Sequence, residues 1–399
     1  MSEKNTPEIR LRGFDGFWSI LPFAELVDRK SQQTSPNGSL TVEFEDINAG
    51  EGTLNKDLAK KSNHKAGIPF APEDILFGKL RPYLKNWLLA DFSGIAVGDF
   101  WVLQATNSDP AFIHATIQRP EFMAVANMSS GTKMPRSDWG LVSTSTFSVP
   151  SIAEQKSIGS FFRELDAALE AGEKKLEKLR RLKQTMLVKM FPRGGSLVPE
   201  VRFNNFSDRW KRVHLGDLGS TFSGLSGKSK GDFGHGKAHY ITYLNVNLNP
   251  VTDYNDLGIV EIDPRQTTVL PGDILFTTSS EVPEEVGMSS VVETIPANTY
   301  LNSFCFGYRP YSPIQHDYWA YMLRSPYLRQ QFTVLAQGIS RFNISKTKAM
   351  NVQVLLPTDS EQQAIGAYFR ELDTLLEAEA AKLVKLRQLK SAFLRQMFV

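Results

Sequence analysis

Apolar residues recur at alternating spacings of three and four in two stretches of the chain. The first stretch carries Phe162, Leu165, Leu169, Leu176, Leu179, Met186 and Met190, and the second Phe369, Leu372, Leu376, Leu383, Leu386, Phe393 and Met397. A stripe of that period marks the seam of a coiled coil rather than a helix lying on a broad core. Its weak positions match between the two stretches, Gly172 with Glu379 and Lys183 with Lys390. Ser151-Ile152-Ala153-Glu154 and Thr358-Asp359-Ser360-Glu361 place a capping box at each start, where hydroxyl and carboxylate would satisfy the first amide donors. Arg193-Gly194-Gly195-Ser196, after Phe191-Pro192, ends the first helix. Helices of ~40 residues are ~60 Å long, so the two are expected to pair with each other. Antiparallel pairing is the expected sense, since each helix closes its own half and the repeat then obeys a pseudo-twofold axis.

The matching extends beyond the helices. Pro7-Glu8-Ile9-Arg10, with Phe14 and Trp18, returns 192 positions later as Pro199-Glu200-Val201-Arg202, with Phe206 and Trp210. Glu154 to Asp166 returns 207 positions later as Glu361 to Asp373, with nine of thirteen residues identical. The second globular segment is therefore 15 residues longer. Within each segment a turn feeds a short apolar run: Pro72-Glu73 before Asp74-Ile75-Leu76-Phe77, and Pro271-Gly272 before Asp273-Ile274-Leu275-Phe276. These read as buried core strands. Strand patterns at 240–244, 286–292 and 352–356 mix with a helical pattern over 317–336. The implied fold class is mixed α/β, with two globular domains related by a pseudo-twofold repeat and joined by two long helices in an antiparallel coiled coil. Boundaries fall at 1–150, 151–192 (helical spacer), 193–356 and 357–399 (helical spacer).

Beyond the shared strand the halves diverge, with Gly78-Lys79-Leu80-Arg81-Pro82-Tyr83 in the first and Thr277-Thr278-Ser279-Ser280 in the second. A common frame with different presented loops suits recognition. Lys, Arg, Asn and hydroxyl side chains on presented loops suit nucleic acid in particular. The first half offers Lys79, Arg81, Tyr83 and Lys85, with Thr132, Lys133 and Arg136 in the Ser130–Arg136 loop. The second half offers Lys228, Lys230, His235 and Lys237 in a glycine-rich basic stretch, and Arg341, Asn343 and Lys346 in the place equivalent to Gly131–Arg136. Each alone also reads as an ordinary solvated loop residue.

Composition narrows the chemistry. The 399 residues carry 41% hydrophobic and 22% charged side chains and a net charge of +2, a globular composition with no global field for nucleic acid. Cys305 lies in Phe304-Cys305-Phe306 and reads as a buried apolar residue, so no disulfide or cysteine-rich zinc site forms. The polar start and the lack of any long apolar stretch point to a reduced cytoplasmic location and no membrane partner. Gly227-Lys228-Ser229 lacks the P-loop glycine five residues upstream, where Phe222 stands. The chain has no Pro-Pro pair for an adenine methyltransferase motif, no nuclease-like acidic set, and histidines without metal spacing. No catalytic residues, metal ligands or cofactor sites are expected in this chain.

The duplicated helices, each beginning Pro, then Glu-Gln, then an apolar stripe, resemble the specificity (S, or HsdS) subunit of type I restriction-modification systems over essentially the whole length. The resemblance implies two target-recognition domains, each reading one half of an asymmetric bipartite site in double-stranded DNA. The helix pair would set the unspecified spacer and dock methyltransferase (modification) subunits, expected to be two; the sequence leaves restriction/translocase subunits open. S-adenosylmethionine and, for cleavage, ATP and magnesium would bind to those partners. A ~60 Å helix against ~3.4 Å per base-pair step corresponds to more than one turn of duplex. Two other readings share the same features: a stand-alone two-domain sequence-specific DNA-binding regulator, which would bind its site without partners, and a coiled-coil scaffold indifferent to DNA.

Overall fold

The computed structural model describes residues 6–35, 38–60, 65–128 and 134–399. Met1–Lys175 with Glu379–Val399 form one unit and Leu176–Ala378 the other. The candidate residues Thr132 and Lys133 lie outside the described residues. Two helices of 38 residues, Ile152–Lys189 and Asp359–Gln396, occupy the two apolar stripes.

In the first unit an antiparallel sheet orders its strands Val27–Lys30, Phe100–Ala105, Ile75–Gly78, Trp87–Leu89. Ile75–Gly78 is buried along its whole length, which is why it reads as a continuous apolar run rather than an alternating one. Its leading Asp74 is buried too, and its carboxylate accepts the Ala71 amide at 2.7 Å and the Lys30 ammonium at 2.5 Å. A second pairing, Ser19–Pro22 with Thr146–Val149, brings the start and end of the globular segment together.

The second unit repeats this plan: Gly219–Ser223, Cys305–Pro310, Ile274–Thr277, Ser289–Val291 in one antiparallel sheet, and Lys211–His214 with Gln353–Leu356. Asp273 accepts the Leu270 amide at 2.8 Å, but here its cation is Arg309, from the adjacent strand Cys305–Pro310, whereas Lys30 sits two strands from Asp74 on the same side. Where the halves differ in length, Phe233–Ile241 runs parallel to Thr299–Leu301 and also pairs antiparallel with Leu257–Val260. The matching strand of the first unit, Thr41–Val42, pairs only with Gly94–Ala96 among the described residues. Two expectations shift. The strand read at 240–244 ends at Ile241, and Thr242 caps a helix over Tyr243–Leu248 by accepting the Asn245 amide. The helical pattern over 317–336 is two helices, His316–Leu323 and Pro326–Leu335, because Pro326 cannot continue the first.

Within the first unit the helix segments run antiparallel: Phe161 meets Phe393 at 5.0 Å between ring centroids, Asp166 meets Lys390 at 2.6 Å, and Lys175 meets Glu379 at 2.6 Å. In the second unit Lys183 pairs with Asp373, and Phe191 stacks on Phe369 at 5.8 Å, in the same sense. None of the seam residues Phe162, Leu165, Leu169, Leu176, Leu179, Phe369, Leu372, Leu376, Leu383 and Leu386 is exposed. The weak seam positions have a physical cause. Gly172 leaves room for the buried Glu379, since a Cβ there would lie 3.2 Å from the Glu379 carboxylate and 2.7 Å from Leu383.

Each unit also buries the end of a long helix. Leu394, Met397 and Phe398 belong to the first core, where Phe398 stacks on Phe112 at 5.4 Å and meets Trp18 edge-on at 6.3 Å. Met190 and Phe191 belong to the second, where Phe191 meets Trp210 and Tyr318. The Ile9 amide donates to the Gln396 carbonyl and the Val201 amide to the Lys189 carbonyl, both at 2.9 Å. These bonds satisfy carbonyls that a helix end leaves open. The carboxylates of Glu154 and Glu361, read from the sequence as capping-box acceptors, are instead gripped by Arg10 and Arg202. Arginine offers the carboxylate two charge-assisted bonds and an opposite formal charge, where a single cap amide offers one bond, so the guanidinium wins the carboxylate.

Candidate nucleic-acid interface

In the first unit the chain leaving Ile75–Gly78 lies beside the segment 134–137. The Arg81 amide donates to the Pro135 carbonyl at 2.7 Å, the Ser137 amide to the Lys79 carbonyl at 2.8 Å, and Leu80 bridges Arg136. Lys79, Arg81 and Arg136 are thereby brought together although 55 positions separate the last two. Asp99 faces them, 3.6 Å from the Lys79 ammonium and 3.0 Å from the Arg136 guanidinium. Sequence reading missed this carboxylate, and only the tight turn through Gly98, at φ +100°, hints at a presented residue there. Arg81 and Lys85 both hold left-handed backbone, at φ 49° and 57°, on either side of the turn Pro82–Leu84. Such geometry costs roughly 1–2 kcal/mol per residue, and the bonds to Pro135 and from the Gly50 amide to Lys85 hold it in place. Tyr83 is exposed at the apex. Lys85 diverges from the group: it lines a cavity of about 550 Å³ with Trp87, Asp166, Arg387 and Lys390.

In the second unit the residues fall into two groups. Ser279–Ser280, the residues that replace the Lys79 loop, pair with Phe342–Asn343, so Asn343 lies opposite Ser279. Arg341 lies over the Phe304 ring at 5.4 Å, and the Lys346 ammonium donates to Ser223 Oγ at 2.6 Å. Arg341, Asn343 and Lys346 thus share one edge with Ser223, Ser279 and the half-exposed Phe304. The other group surrounds the long hairpin, with Lys230 and Lys237 exposed. His235 contacts the Gly231 carbonyl at 2.8 Å and Glu261 at 3.2 Å, and both contacts raise its pKa above the ordinary histidine value. Lys228 is not presented. It is mostly buried and pairs with Asp263 at 3.0 Å, and the Asp263 carboxyl is held far below its usual range by Arg265 and Lys228. Nothing local to the Gly-rich stretch marks Asp263, which lies 35 positions away.

Two half-buried arginines outside both groups are structural. Arg324 donates to the carbonyls of Val246, Asn247 and Asn249 at 2.9–3.0 Å and so caps the helix Tyr243–Leu248. Arg329 donates to the Glu284, Val286 and Gly287 carbonyls. Burial lowers the pKa of each to about 10, still charged at neutral pH. Among the described residues no cluster of His, Cys, Asp and Glu is arranged to hold a metal ion, and no helix is long and apolar enough to cross a membrane.

No protein-family model matches the chain. Among curated proteins it is similar to the MjaVIII type I restriction enzyme specificity subunit of Methanocaldococcus jannaschii, 22% identical over 270 residues, which are 63% of this chain and 60% of that protein. It is also similar to the StySPI type I restriction enzyme specificity subunit of Salmonella potsdam, 23% identical over 171 residues, 39% of this chain and 36% of that one. The chain thus matches less than two thirds of the length of either relative. Among solved structures, the type I restriction-modification S subunit from M. genitalium aligns over 99% of both chains with a TM-score of 0.59 at 16% identity, a likeness of fold.

Proposed function

We propose that this chain, a homologue of the specificity subunits of type I restriction enzymes built on their fold, reads DNA sequence for a type I restriction-modification complex. Residues 1–150 and 193–356 are the two target-recognition domains, each reading one half of a bipartite site. Residues 151–192 and 357–399 form the spacer and the docking surface for methyltransferase subunits. Reading is this chain's part, and chemistry belongs to the partners: methyl transfer with S-adenosylmethionine and, where a nuclease subunit is present, cleavage with ATP and magnesium. The complex works in the cytoplasm.

One observation carries this reading. The same sheet order and the same buried Asp occur twice, while the edge after the central strand is Lys79-Leu80-Arg81 in one unit and Thr278-Ser279-Ser280 in the other. A duplicated frame with two different polar edges is what two unlike half-sites require. The test replaces residues 7–150 with the corresponding domain of another specificity subunit and sequences methylated adenines in cells that also express the methyltransferase subunit. One half of the methylated motif should change and the other stay as it was; simultaneous change in both halves, or no bipartite motif at all, contradicts the proposal.

A further inference from the structure

Among the described candidate residues, half of the ten cationic side chains are already engaged: Lys79 and Arg136 by Asp99, Lys228 by Asp263, His235 by Glu261, and Lys346 by Ser223. Of the other five, Arg81, Lys85, Lys230, Lys237 and Arg341, the last is the one that lies on an aromatic face. No carboxylate lies within ion-pair distance of it among the described residues, and its guanidinium lies 5.4 Å from the centroid of Phe304, an aromatic ring that stays 52% exposed. A cation–π contact favours this placement of the guanidinium over the ring while leaving its outward N–H donors open.

The backbone under Arg341 is also held. Gln337 and Asn343 exchange both backbone hydrogen bonds at 2.9 Å, closing the neck of the loop between them. The far side of that neck is fixed by Asn343 opposite Ser279 and by the Ile344 amide donating to the Thr278 carbonyl at 3.0 Å. Gly338 fits only as glycine: its φ is +149°, and a Cβ would collide with the Arg341 carbonyl. The loop apex carries Ile339, 97% exposed. A planar, unpaired fork on a closed loop suits a bidentate pair of acceptors, which a phosphate or a base edge can supply. In the major groove that acceptor pair is guanine O6 and N7.

Resting on the DNA-reading function above, we propose that Arg341 reads a guanine in the half-site of the second unit, and that Phe304 is the positioning residue that holds its guanidinium for the contact.

The test uses the full chain with its methyltransferase subunit and compares methylated motifs for wild type, Arg341→Lys, Arg341→Gln, Phe304→Ala and Phe304→Trp. Circular dichroism confirms that each variant is folded. Arg341→Lys keeps the charge but loses the fork, so both Arg341 variants should relax discrimination at one guanine of one half-site by about 10- to 100-fold. Phe304→Ala should relax the same position less, and Phe304→Trp, which keeps an aromatic face, should restore it. The half-site of the first unit should be unaltered throughout. Uniform loss of methylation with the motif intact makes Arg341 a phosphate contact and overturns the proposal, as does relaxation at a position other than guanine. A wild-type complex that methylates no bipartite motif would instead bring down the function itself, and this assignment with it.

Discussion

The guanidinium of Arg10 grips both carboxylate oxygens of Glu154, at 2.7 and 2.8 Å, across 144 positions of sequence. Its third bond goes to the Gly16 carbonyl at 2.6 Å. The second unit has the same clasp in Arg202 and Glu361, both contacts at 2.7 Å, with the Asp208 carbonyl in the third place. This accounts for the repeat at both ends of each half: one segment supplies the arginine, and the first turn of a long helix supplies the acid. Together with the Ile9 amide on Gln396 in the first unit and the Val201 amide on Lys189 in the second, it ties the helix ends within each unit to that unit's own globular core.

The clasp predicts an asymmetric cost. Glu154 is nearly fully buried, with 3% of its side chain exposed, while Arg10 keeps 16%. Arg10→Ala leaves a buried unpaired carboxylate and should destabilise the first unit by about 3 kcal/mol. Glu154→Ala leaves a guanidinium that reaches water and should cost less. Urea denaturation of both variants decides the matter, and equal costs would contradict the burial difference.

Lys390 and Lys183, which interrupt the apolar seam, are answered by Asp166 and Asp373 of the opposite helix. Burial raises the Asp166 pKa above its ordinary value even though Lys390 works against the rise. Lys390→Met should cost about 2 kcal/mol at pH 7, less than a fully buried pair because Asp166 keeps 21% of its side chain exposed. A carboxyl whose folded pKa is raised binds its proton more tightly when folded, so its penalty shrinks as pH falls. The variant should therefore recover stability between pH 7 and pH 5, and a deficit independent of pH would refute the role given to Asp166.

His114 is buried beside Gln118, and burial lowers its pKa to about 3, with Lys390 and Arg163 adding to the shift. Below the ordinary value near 6.5 the unfolded chain takes up a proton that the folded chain refuses. Stability should thus fall as pH drops from about 6.5 toward 3, by up to ~1.4 kcal/mol per pH unit from this group. His114→Gln removes that slope. Denaturation at pH 7, 6, 5 and 4 should show the wild type and variant diverging in slope, and parallel profiles would exclude a neutral buried imidazole.

Inserting one helical turn after Leu176 and one after Leu383 lengthens both helices at matched repeat positions. On the proposed function the methylated motif should keep both half-sites and gain one or two unspecified base pairs, since a turn adds ~5.4 Å and a base-pair step ~3.4 Å. An unchanged spacer would show that the helices do not set it.

Much of the frame was legible because it is written in local periods. Phe162 to Met190 announces a helix by spacing alone, and Asp74 to Phe77 announces a buried strand by an unbroken apolar run. The candidate site was legible only as residue types. That the segments of Arg81 and Arg136 lie side by side, or that Lys228 turns inward, depends on pairings such as Leu80 with Arg136 and Lys228 with Asp263, which no window of neighbouring residues contains.

By itself, then, the sequence determined the two helices, their matched interruptions and the duplicated plan, because helix caps and seam positions depend on residues three or four apart. Only the tertiary structure decided which charges are spent. Glu154 is held by Arg10 rather than by its own helix, Asp99 occupies Lys79 and Arg136, and Arg341 is left open over Phe304. The physical reason is that an ion pair forms where two side chains converge in space, and that convergence is a property of the assembled sheets and paired helix segments rather than of any stretch of chain.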